Sequence, residues 1–214
     1  MNRMIKYLIY ILLFIQSTAI SFAQVEYSLI TNTTEVKSKI KKASEELKSM
    51  QASFVQDKVL TFMDEEIQSK GKFIFQSPNS VRWEYIDPYK YLIIIDKEII
   101  TIKDERKENK FDMDSNPIFK QINQLMLSTV KGDILLNKDF ESKVYQNSKT
   151  YKLELLPKDE NMKEFISSID LILNKKDLTI ISLKLTEPMG DYTFITFKNK
   201  IINEKLPEHS FTIR

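Results

Sequence analysis

The first strongly periodic segment of the chain runs from Glu35 to Met50. Its apolar residues lie three or four positions apart, with lysines and glutamates between them: Val36, Ile40, Ala43, Leu47 and Met50. This spacing places the apolar side chains on one face of an α-helix. The pattern therefore predicts an amphipathic helix, with Thr34 as the residue that caps its start.

After Gln51 the pattern changes from helical spacing to alternation. Val81, Trp83 and Tyr85 occupy every second position of one run, which is typical of a strand with one buried face. Similar runs predict strands over 53–62, 67–76, 91–95, 99–103, 107–113, 142–146, 150–156, 165–173, 179–187 and 192–198, with a closing strand over 211–213. Turn-forming residues separate them.

A second helix interrupts the strands. Pro117 is a favoured first helical residue, and Ile118, Ile122, Leu125 and Met126 fall on one face of a helix that reaches about Val130. Lys131-Gly132-Asp133 ends it. The fold class predicted is mainly β with some α. We expect a strongly curved antiparallel sheet, or an incomplete, half-open antiparallel β-barrel, covered by a helical lid.

The first 23 residues have the features of a cleavable signal peptide. Arg3 and Lys6 precede an apolar run over 7–15, and Ser21-Phe22-Ala23 supplies small residues at a cleavage site. The run is shorter than the roughly 20 apolar residues that span a bilayer. We expect cleavage after Ala23 and a single domain over 24–214. The chain has no cysteine on which a lipid anchor could be attached.

Composition excludes several function classes. The formal net charge is +2, and Arg3 and Lys6 account for it, so the remaining chain is near neutral and we expect no nucleic-acid partner. Three scattered glycines leave no phosphate-binding loop. Without cysteine, and with His209 as the one histidine, thiol catalysis and histidine-rich metal sites are also excluded. We expect no metal and no cofactor.

The acidic residues do not form a recognisable catalytic pattern. Asp64, Glu65, Glu66, Asp104, Glu105 and Glu108 all lie in polar, turn-like surroundings. The run from Asp112 to Asn116 resembles the start of a calcium-binding loop, but Pro117 replaces the required glycine and Asn123 the final glutamate. We interpret the run as a helix cap, and we expect a binding protein with no catalytic residues.

Several segments together resemble the LolA family of periplasmic carriers of outer-membrane lipoproteins. The most specific runs from Gly71 through Phe73-Ile74-Phe75-Gln76-Ser77-Pro78-Asn79 to Arg82-Trp83-Glu84-Tyr85. The others are Ala52-Ser53-Phe54-Val55-Gln56, Leu153-Glu154-Leu155-Leu156-Pro157, Asp191-Tyr192-Thr193-Phe194-Ile195-Thr196-Phe197 and Ile202-Asn203 with Leu206-Pro207-Glu208. They occur in the family's order and span most of the chain after the signal peptide.

The resemblance implies a sheet with an apolar cavity that holds the acyl chains of lipoproteins. Such a carrier is a chaperone of outer-membrane biogenesis, soluble in the periplasm and not lipid-anchored. Its partners are acylated lipoproteins, an inner-membrane ABC transporter that releases them, and an acceptor at the outer membrane. We expect it to be a monomer.

Strand alternation and helix spacing give candidate ligand-contacting residues within that framework. The predicted cavity residues are Phe73, Phe75, Val81, Trp83, Tyr85, Ile93 and Ile95. The predicted lid residues are Ile40, Leu47, Ile122, Leu125 and Met126. Each of them is also compatible with an ordinary place in a packed core.

One position departs from the family pattern. Well-studied members of the family carry an arginine just before the turn proline. There it bonds to the backbone of the lid helix and helps to keep the cavity closed until it is loaded; here that position is Ser77. Arg82 lies at the opposite strand parity from Val81, so we expect that it does not replace the missing arginine. Alternative functions consistent with the sequence are binding of another lipid or glycolipid, envelope-stress sensing, and hydrolysis by exposed carboxylates.

Overall fold

The computed structural model describes residues 26–63, 65–113 and 117–213, without the side chains of 117–122. The predicted signal peptide and the proposed cap at Asp114–Asn116 lie outside these residues. Twelve strands and three α-helices are present within them. The strands are β1 (Ser28–Leu29), β2 (Ser49–Leu60), β3 (Glu65–Gln76), β4 (Ser80–Asp87), β5 (Tyr91–Asp96), β6 (Ile99–Lys103), β7 (Glu108–Asp112), β8 (Phe140–Gln146), β9 (Thr150–Pro157), β10 (Ser168–Asn174), β11 (Ile180–Thr186) and β12 (Tyr192–Ile202). The helices are α1 (Thr34–Glu46), α2 (Pro117–Lys131) and α3 (Glu160–Lys163), with a 3₁₀ turn at Asp133–Leu136.

All the strands belong to one antiparallel sheet. Their order is β1-β8-β9-β10-β11-β12-β2-β3-β4-β5-β6-β7, and the end strands β1 and β7 are not paired with each other. The sheet is therefore not closed into a barrel. It matches the predicted curved antiparallel sheet. The first half of the β-rich sequence joins the second half through β2, which pairs with β12.

One face of the sheet, called here the inner face, carries the core. Alternation places Met50, Ala52 and Phe54 of β2 on it, and the same period fills it from β3, β4, β9 and β10. Both α1 and α2 pack against the 3₁₀ turn, whose Ile134 and Leu135 are buried in the same core. The helices thus close one part of the inner face.

The end of α1 differs from the prediction. The helix stops at Glu46, Leu47 is extended, and Met50 lies in β2. Met50 fits both a helical and an alternating pattern. It lies in a strand because it pairs with residues of β3 and β12. At the other end Thr34 is the first helical residue rather than the cap, and its backbone N–H donates to Asn32 Oδ1 at 3.1 Å.

One further predicted strand begins at the wrong residue, and another does not form. Phe165 precedes β10 and is 66% exposed, because α3 and its Asp159 cap occupy the connection. Residues 211–213 form turn-like structure instead of a closing strand. There the Arg82 guanidinium donates to the carbonyl of Thr212 at 3.1 Å and holds this segment against the outer face of the sheet.

Candidate functional site

The seven predicted cavity residues lie together on the inner face. Phe73 of β3 pairs with Trp83 of β4, which pairs with Ile93 of β5. The next row joins Phe75, Val81 and Ile95 in the same way. Tyr85 begins a third row beside Gly71. Three neighbouring strands therefore place all the predicted side chains on one continuous patch.

Burial divides this patch into a deep part and an accessible part. Phe73, Phe75, Val81 and Ile95 are buried in the core. Tyr85 and Ile93 are only partly buried. Other partly buried residues on three neighbouring elements pack against the same core: Ile102 of β6, Phe111 of β7, and Leu125, Met126 and Leu127 of α2. The deep residues form what is called here the floor of the inner face, and the partly exposed ones lie at its accessible side.

An aromatic cluster occupies the centre of the floor. The Trp83 ring centroid lies 4.9 Å from that of Phe54, 5.2 Å from that of Phe73 and 6.0 Å from that of Phe197. Tyr85 meets Phe54 edge-on at 5.3 Å. Phe54 and Phe197 were not among the predicted cavity residues, although both lie in segments that resemble the family. The pairing of β2 with β12 sets Phe54 opposite Phe197, and no local sequence pattern signals that pairing.

Two polar groups lie within this aromatic cluster. The Tyr85 hydroxyl donates to Gln56 Oε1 at 2.9 Å. Burial, followed by the neighbouring Tyr89, raises the pKa of Tyr85 to about 12, and the Gln56 bond and the nearby Trp83 N–H oppose that rise. The Trp83 Nε1 atom is itself buried beside this hydroxyl. The aromatic cluster therefore disfavours a charged group.

The predicted lid residues separate into two groups. Ile40 and Leu47 are buried core residues, whereas Leu125 and Met126 of α2 are partly exposed against the core. The side chain of Ile122 lies outside the described residues. The Lys131 ammonium at the end of α2 lies 5.8 Å above the centre of the Phe75 ring. This contact places the C-terminal end of α2 over the floor of the inner face.

Ser77 and Arg82 lie in different parts of the structure. Ser77 follows β3 directly, and its backbone N–H donates to the Lys48 carbonyl at 2.8 Å. Arg82 lies on the outer face, where it pairs with Glu84 at 3.1 Å and bonds to the C-terminal segment. Arg82 therefore does not take the place of the missing arginine, as its strand parity predicted.

Of the carboxylates assigned to turns from the sequence, Glu65, Glu66 and Glu108 lie in strands, and Asp104 has a structural role in its loop. Asp104 accepts from the backbone N–H groups of Arg106 and Lys107, both at 2.7 Å, and these bonds lower the pKa of its carboxyl group. His209 is exposed in the C-terminal segment. Within residues 26–63, 65–113 and 117–213, no group of three or more metal-ligating side chains is assembled. Over the same ranges, none of the helices combines the length and the apolarity needed to span a bilayer.

Solved structures with a similar fold have very different sequences. An uncharacterised conserved protein from Thermus thermophilus has a TM-score of 0.51 at 8% identity, covering 84% of this chain and 99% of that one. A chain of the MucA/MucB complex from Pseudomonas aeruginosa has a TM-score of 0.50 at 13% identity, covering 84% of this chain and 61% of that one. A LolA superfamily protein from Nitrosomonas europaea has a TM-score of 0.41 at 10% identity, covering 83% and 97%.

Sequence comparison identifies the family. No curated protein matches the chain significantly. The sequence model described as "Outer membrane lipoprotein carrier protein LolA" matches residues 45–214. That range begins at the end of α1 and contains every predicted cavity residue. Such proteins bind lipids or lipoproteins in the periplasm and are carriers rather than enzymes. The chain belongs to the outer membrane lipoprotein carrier protein LolA family.

Proposed function

We propose that residues 24–214 form a single-domain, monomeric periplasmic carrier for lipoproteins. The carrier takes the acyl chains of a lipoprotein released by an inner-membrane ABC transporter and delivers them to an acceptor at the outer membrane. In this proposal, cleavage of the predicted signal peptide releases the carrier into the periplasm. Diffusion is what a shuttle between two membranes requires.

The observation that supports this proposal best is the incomplete burial of the inner face. Ile93 and Ile102 on the sheet and Leu125 and Met126 on α2 pack against one core, yet all four keep accessible surface. Large apolar groups left partly open in this way beside a deep floor are typical of a ligand site. The helix and the sheet edge together provide two apolar walls.

The energetics favour long hydrocarbon chains as the ligand. Each methylene removed from water contributes about 0.8 kcal/mol of favourable free energy. Burial of a chain of about 16 carbons therefore contributes on the order of 12 kcal/mol. The aromatic floor offers many weak contacts and few polar ones, which suits lipoproteins that share acyl chains but differ in protein sequence. The raised pKa of Tyr85 shows that a charged group would be disfavoured at the same place.

Depletion of the protein in its own cells tests the carrier role. We expect acylated lipoproteins to accumulate in the inner membrane, as measured by membrane fractionation and mass spectrometry. A variant with Leu125 and Met126 both changed to Asp should fail to restore sorting. A matched variant with the exposed Gln124 changed to Asp should restore it, since Gln124 lies on the solvent side of α2. Normal sorting after depletion would contradict the proposal.

The ligand that purifies with the protein distinguishes the carrier from its alternatives. Acylated lipoprotein peptides support a lipoprotein carrier. A free lipid or glycolipid in their place would indicate that the same site serves another lipid, with a different role in the envelope.

A further inference from the structure

The three large apolar side chains that the described residues leave most exposed lie at one end of the sheet. Met189 is 84% exposed, Phe62 72% and Phe165 66%, and Met63 beside Phe62 is 52% exposed. They belong to three turns: the one between β2 and β3, the one between β11 and β12, and the one shortly before β10. This surface, called here the turn end, is opposite the end of the sheet that α1 contacts.

Hydrogen bonds hold the three turns of this surface together. Thr61 donates from its backbone N–H and from its hydroxyl to Asp191 Oδ1, each at 2.8 Å, and so joins the first two turns. The Ser167 hydroxyl donates to the Glu187 carbonyl at 3.3 Å and joins the third turn to the second. The exposed apolar side chains therefore belong to one connected surface and not to three independent loops.

The turn end is also strongly acidic. Eight acidic and two basic residues lie in the three sequence segments that contain the turns: 58–66, 159–167 and 187–191. Their formal net charge is −6, whereas that of the whole chain is +2. Both basic residues pair with acidic side chains of the same segments, Lys58 with Glu187 and Lys163 with Glu160. The turn end thus combines exposed apolar side chains with an excess of negative charge.

We propose that the turn end is a docking surface for a partner protein whose binding site is an apolar pocket bordered by lysine and arginine side chains. Exposed apolar patches with a polar rim mark interaction sites, because water is an unfavourable environment for phenylalanine and methionine side chains. In the complex these side chains enter the pocket, and the acidic rim pairs with the basic border and orients the approach. This surface is separate from the proposed acyl-chain site on the inner face.

The charge favours a protein partner over a membrane or a second copy of the chain. Membrane surfaces that contain anionic lipids attract basic segments and repel acidic ones. Two turn ends facing each other would bring like charges together. Aromatic and methionine side chains are enriched in protein interfaces, and the flexible methionines at positions 63 and 189 can adapt to the shape of a pocket.

Photo-crosslinking in the cells that produce the protein tests the assignment at single positions. The photoreactive residue p-benzoylphenylalanine is placed at position 62, 165 or 189, where an exposed side chain can be replaced without disturbing the core. The control position is Ile99, which is 44% exposed at the opposite end of the sheet. We expect the three positions to give an adduct with the same protein and Ile99 to give none. Mass spectrometry should place the adduct in an apolar segment flanked by lysine or arginine.

Charge reversal distinguishes specific docking from non-specific hydrophobic adhesion. With the photoreactive residue at position 165, Glu65→Lys combined with Glu66→Lys should lower the adduct yield at least about fivefold, because the rim then repels the basic border. The matched pair, Glu45→Lys with Glu204→Lys, changes exposed carboxylates away from the turn end and should leave the yield unchanged. Circular dichroism and thermal unfolding check that both variants stay folded.

Three outcomes would overturn the docking surface: no adduct from the turn end, adducts with many unrelated proteins, or an adduct yield that charge reversal does not change. Vesicles of phosphatidylethanolamine and phosphatidylglycerol test the membrane alternative. Co-sedimentation of the full chain without its signal peptide, abolished by Phe62→Ser with Met189→Ser, would overturn the protein partner in favour of a membrane surface. None of these outcomes affects the carrier proposal, which depletion tests separately.

Discussion

At the scale of single residues, Gly71 shows how tightly the floor of the site is built. It lies opposite Tyr85 at an irregular point in the pairing of β3 with β4. A Cβ atom at this position would overlap the Glu84 carbonyl oxygen and the Phe54 ring. Glycine is therefore required by the close approach of the Phe54 ring to the backbone, and the family-like run that starts at Gly71 has a packing reason.

The first prediction follows from that overlap. Gly71→Ala should lower the free energy of unfolding by about 2 kcal/mol, the usual cost of overpacking a core, as measured by urea unfolding. The neighbouring Lys72 is exposed, so Lys72→Ala serves as the control and should change stability little. A Gly71→Ala variant as stable as the unmodified protein would contradict the packing.

Tyr85 gives a second residue-scale prediction, on pH. Its pKa is about 12 in the folded chain and 10.0 in the reference state, because burial disfavours the phenolate. Between these values the folded chain holds the proton and the unfolded chain has lost it. The free energy of unfolding should therefore fall as the pH rises from about 10 to about 12, whereas below pH 10 the contribution is constant.

The comparison with Tyr85→Phe separates this effect from the ionisation of other groups over the same pH interval. We expect the unmodified protein to lose more stability than Tyr85→Phe over that pH interval, in denaturant unfolding at fixed ionic strength. Parallel stability curves for the two proteins would show that the Tyr85 hydroxyl is not in the environment described.

At the scale of elements, one side chain joins three parts of the fold. Asn203 Oδ1 accepts from the backbone N–H groups of Lys48 at 2.7 Å and Ser49 at 3.2 Å, and its Nδ2 donates to the Glu46 carbonyl at 2.9 Å. The end of α1, the start of β2 and the end of β12 are thereby tied together. This function gives a physical reason for the Ile202-Asn203 segment that resembles the family.

Asn199 supplies a matched control for Asn203. Both asparagines have positive φ, 53° and 58°, so replacement by alanine carries a similar backbone cost at each. Asn199 makes one exposed side-chain bond, to Ser53 Oγ at 3.1 Å. We therefore predict that Asn203→Ala destabilises the protein by about 1–3 kcal/mol more than Asn199→Ala, as measured by thermal and urea unfolding. Equal losses would mean that the three bonds of Asn203 contribute nothing beyond its backbone conformation.

The elements also show what the sequence can and cannot predict. The alternation of Val81, Trp83 and Tyr85 was sufficient to assign the buried face of β4, because a strand with one solvated face has a strict period of two. The start of β2 was missed because Met50 satisfies the helical and the alternating period equally. Local patterns could not place Phe54 beside Phe197, since that contact depends on the pairing of strands far apart in the chain.

At the scale of the whole molecule, the proposed function depends on an open sheet with one apolar face. Because β1 and β7 stay unpaired with each other, the inner face is not sealed as in a closed barrel. The 3₁₀ turn and the end of α2 cover Phe75 and its neighbours, while Tyr85, Ile93 and Ile102 remain partly exposed. In the proposed function, it is at this accessible part that an acyl chain replaces water.

The absence of the family arginine at Ser77 belongs to this scale too. Arg82 cannot substitute for it, because its guanidinium binds Glu84 and the C-terminal segment on the outer face. The described contacts of α2 with the rest of the fold include apolar packing, the approach of Lys131 to Phe75 and a buried hydrogen bond from Asn123 Nδ2 to Met113 Sδ at 3.2 Å.

The measurement that tests the central claim most directly uses the single tryptophan. Trp83 lies on the floor of the inner face, and bromine atoms quench indole fluorescence only at contact distance. A lipopeptide with brominated acyl chains should quench Trp83 to saturation, and the same peptide with unbrominated chains should bind equally well without quenching. Binding of the brominated lipopeptide without any loss of Trp83 fluorescence would contradict an acyl-chain site on the inner face.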